Sequence, residues 1–147
     1  MSKSMTSSAF PDVNVWLALT SPDHEHSQSA WNWYRRLPEG ASLYFCRITQ
    51  LGLLRLLTTR AVMGAGTLSQ SEAWQAYDQW LTKGGARLCA EATDLETRFR
   101  RYSHASQSSP KVWADAYLAA YAESRGLTLV TFDRALAGKV AGAIYLA

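Results

Sequence analysis

The sequence predicts an α/β fold on a mostly parallel sheet, and three observations point there. Short apolar segments alternate along the chain with longer segments of helical periodicity, the pattern of strands joined by helical crossovers. The clearest short segment, Leu127 to Thr131, is a run of apolar and β-branched residues, as a strand covered on both faces should be. Length and composition agree: 147 residues, 48% hydrophobic and 18% charged, suffice for one domain with a real core and exclude a disordered chain. Residues 1–8 are expected to form a loose tail and residues 9–147 a single domain. No apolar run approaches the ~20 residues of a membrane span. Met1 to Ala9 is polar and lacks the apolar region of a secretory signal.

Taken in order, Phe10 to Ala18 is a short apolar stretch around Asp12 and Asn14, where Pro11 argues against a regular strand throughout. Ser21-Pro22-Asp23 offers helix-start chemistry, and His24 to Arg36 reads as an amphipathic helix that Pro38-Glu39-Gly40 stops. Ser42 to Cys46 predicts a strand, and Ile48 to Thr59 a helix bearing Leu51, Leu53, Leu54 and Leu57. Gly64-Ala65-Gly66 marks a turn. Ser71 to Leu81 carries Trp74, Tyr77 and Trp80 at helical spacing, and Gly84-Gly85 breaks that helix before a brief strand at Ala86 to Cys89. Thr93 to Ala105 predicts a helix, Ser106 to Pro110 a polar loop, and Trp113 to Ser124 a helix closed by Gly126. The strand Leu127 to Thr131 follows, and Ala143 to Leu146 predicts the last one.

The helix from Trp113 contains a residue out of place. Trp113, Ala116, Tyr117, Ala120 and Tyr121 share one stripe, and Leu118 and Ala119 make the side of Asp115 apolar too. A helix apolar nearly all round is a buried helix, and a carboxylate inside it demands a cation or hydrogen-bond donors. In open α/β sheets, ligands bind beyond the carboxyl ends of the strands. Asp12 lies near the end of the first strand, Asp133 just past Leu129-Val130-Thr131, and Asp115 in the first turn of the helix before that strand. These acids, remote in sequence, are expected to meet at one rim. Clustered carboxylates repel one another and persist around protons or cations. Oxygen-only ligation suits Mg²⁺ or Mn²⁺, ions that activate water against a phosphodiester. Taken singly, the same acids read as local structure: Asp12 a turn or cap, Asp133 a helix N-cap, Asp115 a first-turn partner of the helix dipole.

Other residues suggest less. Cys46 and Cys89 lie beside separate strands with no CxxC pair, as buried thiols of a reducing cytoplasm would. His24, His26 and His104 form no ligand set, and His24-Glu25-His26 at a helix start reads as solvent-exposed. No His accompanies a Ser or Cys motif for a hydrolase triad, and no phosphate-cradling Gly pattern is present. A net charge of +3 permits a nucleic-acid partner without demanding one. Arg98, Arg100 and Arg101 read first as a solvated helix face and second as an RNA guide. The six Trp residues read as core or dimer packing ahead of base stacking.

Pro11-Asp12-Val13-Asn14-Val15-Trp16-Leu17-Ala18-Leu19 resembles the opening motif of the PIN-domain ribonucleases, and more closely that of VapC-type toxins of toxin–antitoxin pairs. Three further segments follow in the family's order: Gly52-Leu53-Leu54-Arg55-Leu56-Leu57-Thr58, Trp113-Ala114-Asp115-Ala116-Tyr117-Leu118-Ala119-Ala120, and Leu129-Val130-Thr131-Phe132-Asp133. The resemblance implies a three-layer α/β/α domain with a central, mostly parallel sheet of four to five short strands. It implies a Mg²⁺-dependent endoribonuclease toxin, with Mn²⁺ able to substitute, acting on transfer or ribosomal RNA. A cognate VapB-like antitoxin would neutralise it, and the toxin would be a cytoplasmic homodimer. Position by position, Asp12 and Asp115 match the metal-binding aspartates and Asp133 the later acid that completes the pocket. Thr131 matches a hydroxyl that orients the first aspartate, and Asn14 a supporting polar position. Arg55 would contact phosphate or antitoxin, or form a plain surface salt bridge. One position departs. Where many PIN domains carry Thr-x-x-Glu-Leu, Thr49-Gln50-Leu51-Gly52-Leu53 places Gly52, with Gln50 the nearest polar substitute. The departure favours one strongly bound Mg²⁺ and a second recruited with RNA. It also motivates the alternative of a catalytically impaired PIN-fold interaction module.

Overall fold

The computed structural model describes residues 8–147. The expected tail lies outside them except for Ser8, the first residue of a strand. Strands β1 (Ser8–Pro11), β2 (Ser42–Phe45), β3 (Ala86–Leu88), β4 (Thr128–Thr131) and β5 (Ile144–Tyr145) form one sheet in the order β3-β2-β1-β4-β5. Every pairing is parallel, so the carboxyl ends share one rim. The chain builds outward from β1 to β3, then crosses back to lay β4 on the other side of β1. The sheet therefore has its topological switch between β1 and β4, the place where such sheets open a crevice.

The helices are α1 (Val13–Thr20), α2 (Ser27–Arg35), α3 (Arg47–Leu57), α4 (Arg60–Met63), α5 (Gln70–Thr82), α6 (Leu95–Ser103), α7 (Val112–Arg125) and α8 (Arg134–Ala137). Strand alternation sorts the interior into two cores. Ala9 and Val130 join Trp16, Leu53, Tyr77 and Trp80 beneath α1, α2, α3 and α5. Their neighbours Phe10 and Leu129 point the other way, to Leu95, Ala119, Tyr121 and Leu136 of α6, α7 and α8. This is the expected three-layer arrangement. Trp16 anchors the first core, stacked on Phe45 at 3.9 Å and edge-on to Trp80 at 5.3 Å.

The structure departs from the sequence expectations at several places. The stretch Phe10 to Ala18 divides at Asp12 into the end of β1 and the start of α1. Pro11 is tolerated in this central strand because β2 is registered only with Ser8 and Ala9, while Asp12 resumes the ladder by donating to the Val130 carbonyl at 2.9 Å. Helix α2 starts at Ser27 rather than His24, after a turn in which the His26 N–H donates to His24 Nδ1 at 3.0 Å. A short helix, α4, and a 3-10 turn at Gly64–Gly66 stand around the predicted turn, and the helix that the cap reading of Asp133 implies is the four-residue α8.

Helix α7 also corrects the expectation for Asp115. The helix is buried all round from Ala116 to Ala122 apart from half-buried Tyr117, but its first turn is open. Trp113 is 60% exposed and Asp115 is half-buried rather than enclosed. Cys46 is buried, Cys89 half-buried, and both are free thiols. Among the described residues, no helix is long and apolar enough to cross a membrane.

Candidate active site

The site begins where β1 ends. Asp12 has extended backbone angles and caps α1, its Oδ1 accepting from the Val13 N–H at 2.6 Å. Its Oδ2 accepts from the Thr131 hydroxyl, at the end of β4, at 2.8 Å. Thr131 is fully buried, and its Oγ1 in turn accepts from the Asp133 N–H at 2.9 Å. One hydroxyl thus ties the two strand ends that face each other across the topological switch. Asp133 is exposed and caps α8, its Oδ1 accepting from the Leu136 N–H at 3.1 Å. The cap readings and the cluster reading hold together for Asp12 and Asp133: each carboxylate uses its oxygens for local order while remaining at the rim.

Asp115, from the open first turn of α7, lies within electrostatic reach of this pair, and its side chain has no hydrogen-bond partner among the described residues. Burial pushes its carboxyl above the ordinary range, and the charge of Asp133 pushes further; Lys139 draws it back. Burial likewise raises Asp12, against the Thr131 and Val13 hydrogen bonds that favour its ionised form, and Asp115 and Asp133 add to the rise. The carboxylates therefore lie within mutual electrostatic reach, forming a negative spot on a chain of net charge +3. Such a spot favours a proton or a cation.

Among the described residues, no three His, Cys, Asp or Glu side chains close into a metal cage. Mg²⁺ does not call for one, since it keeps several waters and uses one or two carboxylates together with substrate phosphate. The donor set here fits that habit: all oxygen, open on one side, with Asp115 unengaged by any other donor.

The remaining predicted residues are distributed differently. Asn14 is exposed on α1, and its side chain makes no hydrogen bond among the described residues. Arg55 is exposed on α3, beside Leu51, Thr58 and Trp74. Gln50 is only 5% exposed, but its Oε1 accepts from Arg47 at 2.7 Å rather than meeting an acid of the cluster. Gly52 packs its backbone on α1: a Cβ there would stand 2.8 Å from Val13 Cγ2. The missing glutamate is thus explained by a close helix–helix approach. Arg98, Arg100 and Arg101 are ion-paired to Asp94, Glu96 and Glu123, the solvated-face reading of that cluster. Of the histidines, His26 stacks on Phe132 at 4.7 Å beside the Thr131–Asp133 turn. Sequence reasoning missed Lys139, which follows α8; no motif or periodicity marks it.

An all-parallel sheet with acids brought to the rim at its switch defines a doubly wound α/β protein, and comparison places the chain more narrowly. The PIN domain model matches residues 9–141, and the chain belongs to the PIN-domain family. Within that family it groups with the VapC proteins: it is 42% identical over 128 residues to Ribonuclease VapC41 of Mycobacterium tuberculosis, spanning 84% of this chain and 88% of the relative. Two solved structures share the fold. VapC20 of Mycobacterium tuberculosis, a Sarcin-Ricin loop cleaving toxin, has a TM-score of 0.62 at 17% identity, over 88% of this chain and 93% of that one. VapBC2 from Rickettsia felis, bound to a DNA fragment from its promoter, has a TM-score of 0.66 at 12% identity, over 94% and 96%.

Proposed function

We propose that the chain is a divalent-metal-dependent endoribonuclease toxin of the VapC type, held inactive by a VapB-like antitoxin in the cytoplasm. The observation that supports this most directly is the Asp12–Thr131–Asp133 tie across the sheet's switch, with the unengaged Asp115 within electrostatic reach of it. The 42% identity to a ribonuclease spanning most of both chains agrees. Asp12 and Asp115 would hold Mg²⁺, or Mn²⁺ in its place, with Asp133 completing the pocket. When bound, such an ion supplies an activated water and neutralises charge developing on the phosphodiester. Thr131 favours the ionised form of Asp12 against its burial and fixes its direction by donating to it. The first turn of α7 presents Asp115 to solvent and substrate. Gly52 gives the impaired-module alternative no support, because packing against Val13 accounts for it. Transfer or ribosomal RNA is the proposed substrate class, and a homodimer the proposed assembly.

The test is incubation of the purified protein with total host RNA and Mn²⁺ or Mg²⁺. Cleavage is expected, with loss of at least a hundredfold in Asp115→Asn and complete loss in chelator. Intact RNA under every metal condition, with wild type and Asp115→Asn equally harmless in cells, sinks the reading.

A further inference from the structure

Arg47 is the first residue of α3, at the carboxyl end of β2 and on the same rim as the acids. It is exposed, and among the described residues no carboxylate lies within ion-pair distance of it. A cation at a helix N-terminus works against the helix dipole, so helix stability does not explain its presence. Yet Arg47 is deliberately held. Its Nη1 donates to Gln50 Oε1 at 2.7 Å, and Gln50 is 5% exposed with the Tyr77 hydroxyl beside the same amide. Arginine only donates, so the amide oxygen must face Arg47. A buried neutral partner fixes the direction of the guanidinium while leaving its charge uncompensated. A glutamate in that place would have neutralised it.

Arg47 lines a hollow of about 380 Å³ with Leu88, Cys89, Ala90, Glu91 and Tyr117. Glu91, which lines the same hollow, accepts from the Tyr117 hydroxyl at 2.7 Å and is not within ion-pair distance of Arg47. Sheet order sets the place of Arg47 relative to the acids. Since β2 neighbours β1, Arg47 follows the strand next to the one that ends at Asp12, and both residues stand at the same rim.

We propose that Arg47 is a phosphate-binding residue for the RNA strand, gripping a backbone phosphate next to the one cleaved, and that Gln50 is its positioning residue. The inference rests on the ribonuclease reading above. A guanidinium held open in one orientation suits the paired oxygens of a phosphodiester. Phosphate contacts of this kind set the register of a nucleic acid without reading its bases.

The test is binding without cleavage: fluorescence anisotropy of a short labelled single-stranded RNA on the full chain in EDTA, titrated at several salt concentrations. Arg47→Gln is expected to weaken binding roughly five- to tenfold, similarly for different sequences. It should lower the slope of log Kd against log salt by about 0.7, the loss of one single-strand phosphate contact. Gln50→Glu, which pairs the arginine internally, should have the same effect with a melting temperature that shows the fold retained. Arg47→Lys should keep the slope while losing part of the affinity. If wild type binds RNA but Arg47→Gln changes neither Kd nor slope, the phosphate site is wrong and the ribonuclease reading stands. If wild type binds no RNA in EDTA, the phosphate site falls, and cleavage of total RNA with Mn²⁺ still decides the ribonuclease reading.

Discussion

A hydroxyl has one proton to donate and two lone pairs to accept with. At Thr131 the proton goes to Asp12 and a lone pair receives the Asp133 N–H, in a position with no access to water. Thr131→Val keeps the shape and removes both bonds. It leaves a backbone N–H without its acceptor, and Asp12 loses the donor that offsets its burial. The expected cost is about 1–3 kcal/mol in urea unfolding. The Asp12 carboxyl should rise further, so the acid limb of the pH–rate profile for RNA cleavage should move to higher pH, with activity down more than tenfold. Thr131→Ser retains the oxygen and should restore most of both. Unchanged pH profiles across this series would show that the hydroxyl serves packing alone.

At the scale of elements, the position that looked like a defect in the site is a contact between helices. Gly52 of α3 meets Val13 of α1 where a Cβ would come within 2.8 Å of a methyl group. Valine is stiff about χ1 and cannot swing clear. Gly52→Ala should therefore push α3 from α1 and destabilise by about 1–3 kcal/mol. It should also lower activity, because the Val13 N–H is one of the two donors on Asp12. Val13→Ala in the Gly52→Ala background should recover stability, and strictly additive melting data for the pair would contradict the contact. Only some of this was legible in the chain. Asp115 and Asp133 announced themselves as acids beside apolar runs, and the strand ends followed from short β-rich segments. Helix α8 spans four residues, Arg134–Ala137, too few for a period to show, so Lys139 beyond it carried no signal. The openness of the first turn of α7 was equally hidden, because Trp113 reads as core in sequence yet is 60% exposed. A glycine required by a neighbouring helix looks the same in sequence as a glutamate lost.

At the scale of the whole molecule, the site exists only when the sheet does. Asp12 and Thr131 are 119 residues apart and meet because β4 returns to lie beside β1. A divalent ion held there binds the folded state alone, so it stabilises by mass action, about 2.7 kcal/mol at a hundred times its dissociation constant. Protons act on the same carboxylates. Asp12 and Asp115 have folded-state pKa values raised above the ordinary value, so between the two values the folded state binds more protons than the unfolded one. Stability from these groups is therefore highest at low pH and falls as pH rises through that window. The half-buried Asp94–Arg98 pair works in the opposite sense, since Asp94 is lowered by its partner. Comparison with Asp115→Asn cancels that background. Without metal at neutral pH the variant should melt roughly 1–4 °C above wild type, and the gap should close below about pH 4. With Mn²⁺ the order should reverse, wild type gaining stability as pH rises while the variant gains little. Melting curves in EDTA and in Mn²⁺ across that range decide it. A wild-type gain in Mn²⁺ that persists undiminished at low pH, or that Asp115→Asn retains in full, would place the ion somewhere other than these acids.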